Sequence, residues 1–253
     1  MARLMRTPGM SRPGLRCALA AGGALAVAAL AACSSAPPAA PSGPNGPHTA
    51  SLLVAGRTHA TLDVLTGTTV LTVGTANFGS SGALLRVSTP AGAQAPQLSV
   101  SSPDGSAGPG SLVDLTAKNA AAVTITLNAA VSWQLELDGG TTRTDLDLRG
   151  GQVSGIAFNA GSSVISVALP QPHGSVPVQL AGGASDFQLS LPLGVQARVI
   201  AGGGAGEVSL LGQQHTGVAG GTVFTTPGWA PGLTGFDIDA TSGASTIAIT
   251  ARG

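Results

Sequence analysis

The sequence predicts an all-β fold: a single-stranded parallel β-helix-like solenoid with coils of about 21 residues, preceded by a less regular β half. Three observations carry this. Gly161, Ser163, Ile165, Val167, Leu169 and Pro170 are matched one coil later, at a spacing of 22, by Gly183, Ser185, Phe187, Leu189, Leu191 and Pro192. The echo continues at a spacing of 21 in both directions, from Ala184, Asp186, Phe187 and Leu189 to Ala205, Glu207, Val208 and Leu210, and from Gly161, Val167 and Leu169 back to Gly140, Leu146 and Leu148. The third observation is compositional. Tyrosine is absent and tryptophan occurs twice, while glycine occurs 38 times, so helices with broad apolar faces have little to be built from.

In chain order, Arg3, Arg6, Arg12 and Arg16 precede an apolar run from Cys17 to Ala32, and no acid interrupts them. Sixteen apolar residues fall short of the ~20 that span a bilayer as a helix, and the run ends in small residues, so 1–32 reads as a signal peptide. Leu30, Ala31, Ala32 and Cys33 resemble the bacterial lipobox, which implies a diacylglyceryl group on Cys33 and cleavage before it. The implied location is the extracytoplasmic face of the cell membrane, held by a lipid anchor. Residues 33–48 carry Pro37, Pro38, Pro41, Pro44 and Pro47 among small uncharged residues, the composition of an extended tether.

Over 49–130 short apolar segments of strand length recur at Leu62 and Val64, Val70 to Val73, Leu85 and Val87, Leu98 and Val100, Val113 and Leu115, and Val123 to Leu127. Glycines and prolines separate them, but the period is blurred. This half is expected to form irregular coils, or a small sheet covering the open end of the stack, whose unpaired backbone groups need a cover. It is expected to be continuous with the rest as one domain.

The regular part spans 131–253. Alternation assigns its faces: Trp133, Leu135 and Leu137 point inward against Gln134, Glu136 and Asp138, and Leu146 and Leu148 inward against Asp145 and Asp147. Val176, Val178 and Leu180 supply a second strand to one coil, and Val195, Ala197 and Val199 to the next. Glycine corners join the two strands. At this period the domain has room for nine or ten coils. The rhythm breaks over 211–235, which reads as a loop inserted on one face, and resumes at Phe236, Ile238 and Ser242 to Ile249 as a last paired strand.

The Gly-Ala-Ser step with alternating apolar residues and Leu-Pro, then Thr226, Pro227, Gly228 and Trp229 and a closing Ser242 to Ser245, resembles the bacterial putative-adhesin family over about 131–250. That family belongs to the toastrack-type β-solenoids, which also include cell-wall-stress response proteins. The resemblance implies a right-handed β-helix-like domain in the cell envelope and brings no catalytic residues.

Chemistry-bearing motifs are sparse. Removing the four signal arginines leaves seven basic residues against eleven acids, a net charge of −4 that excludes a nucleic-acid binder. Both cysteines lie at or before position 33, so the folded domain has neither disulfide nor thiol chemistry. Carboxylates recur at i and i+2 as Glu136 with Asp138, Asp145 with Asp147 and Asp237 with Asp239; solvated strand surface explains them better than a calcium ladder or a glycosidase pair. Arg143 and Arg149 flank the Asp145 strand, an arrangement fitting a surface ion-pair cluster before an anionic-polymer site. His48, His59, His173 and His215 are scattered, and nucleophile elbow, phosphate loop and dinucleotide fingerprint are all missing. No enzyme, cofactor or metal is expected.

The segment 211–235 supplies the candidate binding residues: Trp229 on a Pro-Gly turn, with His215 and Phe224. Trp229 fits either a rigid anchor for a partner or a cover over the apolar end of the stack, and the second is favoured because large aromatics are mostly buried. The functional expectation is a non-catalytic envelope lipoprotein that presents its solenoid to a wall polymer or an envelope protein. The alternatives are an accessory sensor in envelope-stress signalling and a polysaccharide-active β-helix enzyme.

Overall fold

A computed structural model describes residues 46–79, 82–101 and 110–253. The signal peptide and Cys33, and nearly all of the expected tether, lie outside the described residues. Nineteen strands follow in order: β1 (His48–Leu53), β2 (His59–Val64), β3 (Thr68–Ala76), β4 (Ala83–Thr89), β5 (Gln97–Ser101), β6 (Gly110–Thr116), β7 (Ala122–Asn128), β8 (Ser132–Leu137), β9 (Thr141–Asp147), β10 (Gln152–Phe158), β11 (Ser162–Ala168), β12 (Ser175–Leu180), β13 (Ala184–Pro192), β14 (Gln196–Ala201), β15 (Ala205–Leu210), β16 (Gln213–Val218), β17 (Thr222–Thr225), β18 (Gly235–Asp239) and β19 (Ala244–Arg252). Helices are absent among the described residues.

The strands form two sheets that enclose one apolar interior. Sheet A runs β1-β4-β7-β3-β9-β11-β13-β19-β15-β16, and sheet B runs β17-β14-β18-β12-β10-β8-β2-β6-β5. Each coil takes one strand from each sheet, as β10 followed by β11 or β12 followed by β13. Seven coils stack in parallel, fewer than the nine or ten that length allowed. The remaining residues go to five strands at the ends, where β4, β5, β16 and β17 pair antiparallel with the outermost coils and β1 pairs antiparallel with β4.

The winding is not sequential. β2 and β3 form the first coil in the chain, yet they sit second in the stack, between β6–β7 and β8–β9. At the other end β18 and β19 slot between β12–β13 and β14–β15. The repeat at Ala205 to Leu210 is therefore two places from Phe187, with Ile247 between: Phe187 faces Ile247, which faces Val208. The expected last strand is an inner one. Alternating apolar residues satisfy any slot, so the period reveals the coil but not its place. The outermost coils are in turn covered by antiparallel partners, which terminate the parallel sheets.

The repeat in the middle is accurate in detail. Ile165 and Val167 face Phe187 and Leu189, and Leu146 faces Val167, as the spacings of 22 and 21 require. Inward residues are buried throughout, among them Leu62, Leu135, Phe158, Leu180, Phe187 and Ile238, and burying one such side chain contributes roughly 1.5–3 kcal/mol. Phe158 and Phe187 meet edge to face at 5.8 Å between the sheets. The corners demand glycine where neighbouring backbones touch. A Cβ on Gly182 would lie 2.0 Å from the carbonyl carbon of Ala160, and one on Gly139 2.3 Å from that of Thr66.

The N-terminal end is tied by a polar clamp. Buried Asn128 donates from Nδ2 to the carbonyls of Ala83 (2.9 Å) and Gly79 (3.2 Å), while its own backbone carbonyl accepts the indole N–H of buried Trp133 at 3.0 Å. These bonds join the β7–β8 turn to the cap strand β4, and they satisfy the polar groups they bury.

Candidate functional site: two outer faces and a capped end

The outer face of sheet A carries a trough of about 380 Å³, within the range of ligand pockets. Its floor is two rows of outward side chains crossing five adjacent strands. One row is Thr72, Asp145, Ser166, Gln188 and Ala248; the other is Gly74, Asp147, Ala168, Ser190 and Thr250. Five strands extend about 19 Å along the stack. Gly74, Ala168 and Ala248 leave the gaps, the Asp145 and Asp147 carboxylates stand among a few hydroxyl and amide groups, and most of the exposed lining is apolar.

Ion pairs fix the charges of this face. Arg143 donates to both oxygens of Asp145, at 2.6 and 2.9 Å, and Arg149 grips Asp147 in the same bidentate way. The Arg149 hydrogen bonds hold the Asp147 carboxyl below the usual carboxylate range. Arg252, at the end of β19, reaches across β13: it donates to the carbonyl of Ser190 at 2.7 Å and to that of Leu169 at the end of β11. Burial, then the nearby Arg149, lowers its pKa. Every arginine around the trough is thus engaged by a carboxylate or by backbone carbonyls.

Sheet B differs. Asp114, Asp63 and Glu136 share one register row on β6, β2 and β8, neighbours about 4.8 Å apart. Asp63 Oδ1 is buried and accepts no hydrogen bond within the protein. Burial first, then the charges of Asp138, Glu136 and Asp114, pushes its pKa up to about 6. Asp138 lies just beyond β8 and accepts a 2.7 Å hydrogen bond from Asn159. Among the described residues no group of three or more His, Cys, Asp or Glu has the geometry to hold a metal ion.

The expected loop over 211–235 contains two strands. β16 and β17 extend the two sheets beyond the last coil, because the exposed backbone of β14 and β15 needs partners. His215 and Phe224 come together, ring centroids 4.8 Å apart, opposite the inward Val208 and Val199. Phe224 packs on the apolar core, and exposed His215 lies against it. Trp229 is elsewhere. Its turn is pinned by Thr226, whose hydroxyl accepts the Ala197 N–H at 2.9 Å, and its half-buried ring lies beside Arg198, the guanidinium 5.2 Å from the ring centroid. Arg198 in turn is bidentate to Asp237 on the outer side of sheet B. The three candidates therefore occupy two places, a cover between the sheets and a stacked cation outside them.

Comparison with known proteins places this architecture. A family model described as the N-terminal domain of toast_rack, DUF2154, matches residues 57–190. The chain belongs to the toast_rack family. The match takes in β2 to β12 and most of β13, so it reaches the half where the repeat was blurred. A structure of a putative cell adhesion protein from Clostridium sporogenes ATCC 15579 is similar at a TM-score of 0.61 and 15% identity, covering 82% of this chain and 100% of that one. At that identity the likeness is one of fold. No curated protein matches the chain.

For this toast_rack chain, sequence reading placed Asp145 and Asp147 on the outer face but not the rows that assemble around them. Gly74 and Ala248 join Asp147 and Ala168 only through the displaced coils β2–β3 and β18–β19. Asp63 was missed for the same reason: its acidic neighbours Asp114 and Glu136 lie far along the chain, on β6 and β8.

Proposed function

We propose that this chain is a non-enzymatic binding protein of the cell envelope, held by lipid on Cys33 and using the outer face of sheet A as its contact surface for an extended wall polymer or envelope partner. The trough carries the reading. It is long, shallow and aligned with the stack, a shape that fits a chain laid along it rather than a small molecule enclosed. Its carboxylates are each neutralised by a bidentate arginine, which leaves hydrogen-bonding groups and no free acid–base pair for hydrolysis. The family and the adhesion-protein neighbour support a binding role over a catalytic one.

The lipid anchor supplies two acyl chains, enough for stable attachment. Cys33→Ala is expected to move the protein from the membrane fraction to the medium without changing its thermal midpoint. Co-sedimentation of the released protein with purified cell walls tests the binding half of the reading. Membrane retention of Cys33→Ala equal to the parent, or absence of wall binding, would count against the corresponding half.

A further inference from the structure

The last coil, β14 followed by β15, takes one antiparallel strand on each sheet: β17 beside β14 and β16 beside β15. Both sheets therefore stop at the same level. The ring contact of His215 with Phe224 fixes that level, because side chains of the two sheets meet only where their strands stand opposite. At the other end sheet A runs one strand beyond sheet B, with β4 and β1 outside β7 against β5 alone outside β6. The two ends of the stack do not match each other.

Free edges are usually guarded by charges, prolines or bulges. β16 and β17 read Gln-Gln-His-Thr-Gly-Val and Thr-Val-Phe-Thr, without Asp, Glu, Lys, Arg or Pro, and every residue of β16 except Val218 is exposed. Gly217, at a left-handed φ of 61°, bends only the last step of β16. Gln213 to Thr216 keep regular register with β15. Exposed Val223 on β17 and Leu211 at the turn into β16 add apolar surface to the same end. The chain leaving β17 passes through the Trp229 turn beside Arg198 to β18, on the far side of β14, and so leads away from the edge.

We infer that two copies dock through this end, β16 against β16 and β17 against β17, about a two-fold axis normal to both sheets at the level of His215 and Phe224. One such axis makes both pairings antiparallel at once. Two sheets about 10 Å apart present two edges here, and a single extended peptide would satisfy only one of them. An object that offers two level edges at that spacing is the same end of a second copy. The contact is isologous and closes on itself, so the assembly stops at two. The rotation keeps sheet A of both copies on one side. Their troughs then lie in line on one face of the dimer, and a polymer long enough to reach both is held at two sites.

Sedimentation of the chain carrying Cys33→Ala, so that no acyl group brings copies together, tests this over about a hundredfold range of concentration. Monomers are expected at the bottom of the range, dimers at the top, and nothing larger. Gln214, opposite Ser209 and next to His215, comes close to the axis, so Gln214→Lys and Gln214→Glu each set like charges together across it. Either variant alone is expected to dimerise at least about tenfold more weakly, whereas an equimolar mixture of the two regains the parent affinity as one-to-one pairs. Val223→Lys on β17 should weaken association likewise, because both sheets join. All three should keep the parent's melting midpoint at concentrations where the parent is monomeric, which separates lost docking from lost folding. A parent monomeric throughout, species larger than dimers, a mixture no tighter than its components, or parent-like dimers of Val223→Lys would overturn the inference.

Discussion

Two carboxylate rows, one on each outer face of the stack, carry the same sequence signature and opposite electrostatics. On sheet A, Asp145 and Asp147 alternate along one strand, and each is gripped by an arginine two positions away in the chain. On sheet B, Glu136 and Asp138 alternate in the same way, but the neighbouring coils bring Asp63 and Asp114 alongside and no arginine. A carboxylate pair at i and i+2 therefore says little about charge until the register of the adjacent coils is known. Face A is charge-compensated and grooved; face B is crossed by a row of like charges, which is destabilising when they stand directly opposite.

The largest effects should come from the core that both faces share, and they should be alike on the two sides. Leu189→Ala under face A and Leu135→Ala under face B are each expected to cost about 2–5 kcal/mol, read as loss of unfolding free energy in denaturant titrations. A cost confined to one side would show that the faces rest on different supports.

Next in size is the response to pH, which belongs to face B. The folded pKa of Asp63, about 6, lies above its ordinary 3.8, so the folded state binds the extra proton. Stability is then expected to rise as pH falls from 7 through 6 towards 4, by about 1 kcal/mol once solvent screening of this half-buried group is allowed for. Below 4 the trend reverses, because Asp147, held low by Arg149, loses its pairing on protonation. Melting curves at stepped pH measure both limbs. Asp63→Asn should raise the midpoint at pH 7 and flatten the limb between 4 and 7, and a limb unchanged in that variant would move the titration to another group.

Smallest are the ion pairs of face A. Asp145→Asn is expected to change stability by less than about 1 kcal/mol at neutral pH, since exposed pairs contribute little. Added calcium should shift the melting midpoint of neither the parent nor this variant. A calcium-dependent rise in the parent would reassign Asp145 and Asp147 from ion pairs to ligands.

How much of this was legible follows the same division. Periodicity made the coils of Trp133 to Leu191 readable because each is adjacent in space to the next in sequence, so that Leu146, Val167 and Leu189 form one inward row at steps of 21 and 22. It failed at both ends, where Leu71 and Ile247 belong to coils inserted out of order. An alternating apolar strand fits every slot equally well, so nothing local in β18 and β19 records that they precede β14 and β15 in the stack. The candidate residues divide likewise. The proline and glycine around Trp229 marked a fixed turn, but its neighbour Arg198 stands on β14, with β15, β16 and β17 intervening in the chain. The contact of His215 with Phe224 depends on β16 and β17 pairing with different sheets at the same end. The trough needed three displaced or distant coils to align Gly74, Ala168 and Ala248.

Ala168 on β11 and Ala157 on β10 provide the most direct test of the trough as the contact face, because they point outward from opposite sides of one coil. Tryptophan at either position adds the same bulk to an outward face. Ala168→Trp fills the trough and is expected to reduce co-sedimentation with purified cell walls by about tenfold or more, whereas Ala157→Trp leaves it at the parent level, both variants melting as the parent does. Equal binding by the two variants, or loss in Ala157→Trp alone, would contradict the assignment of sheet A as the binding face.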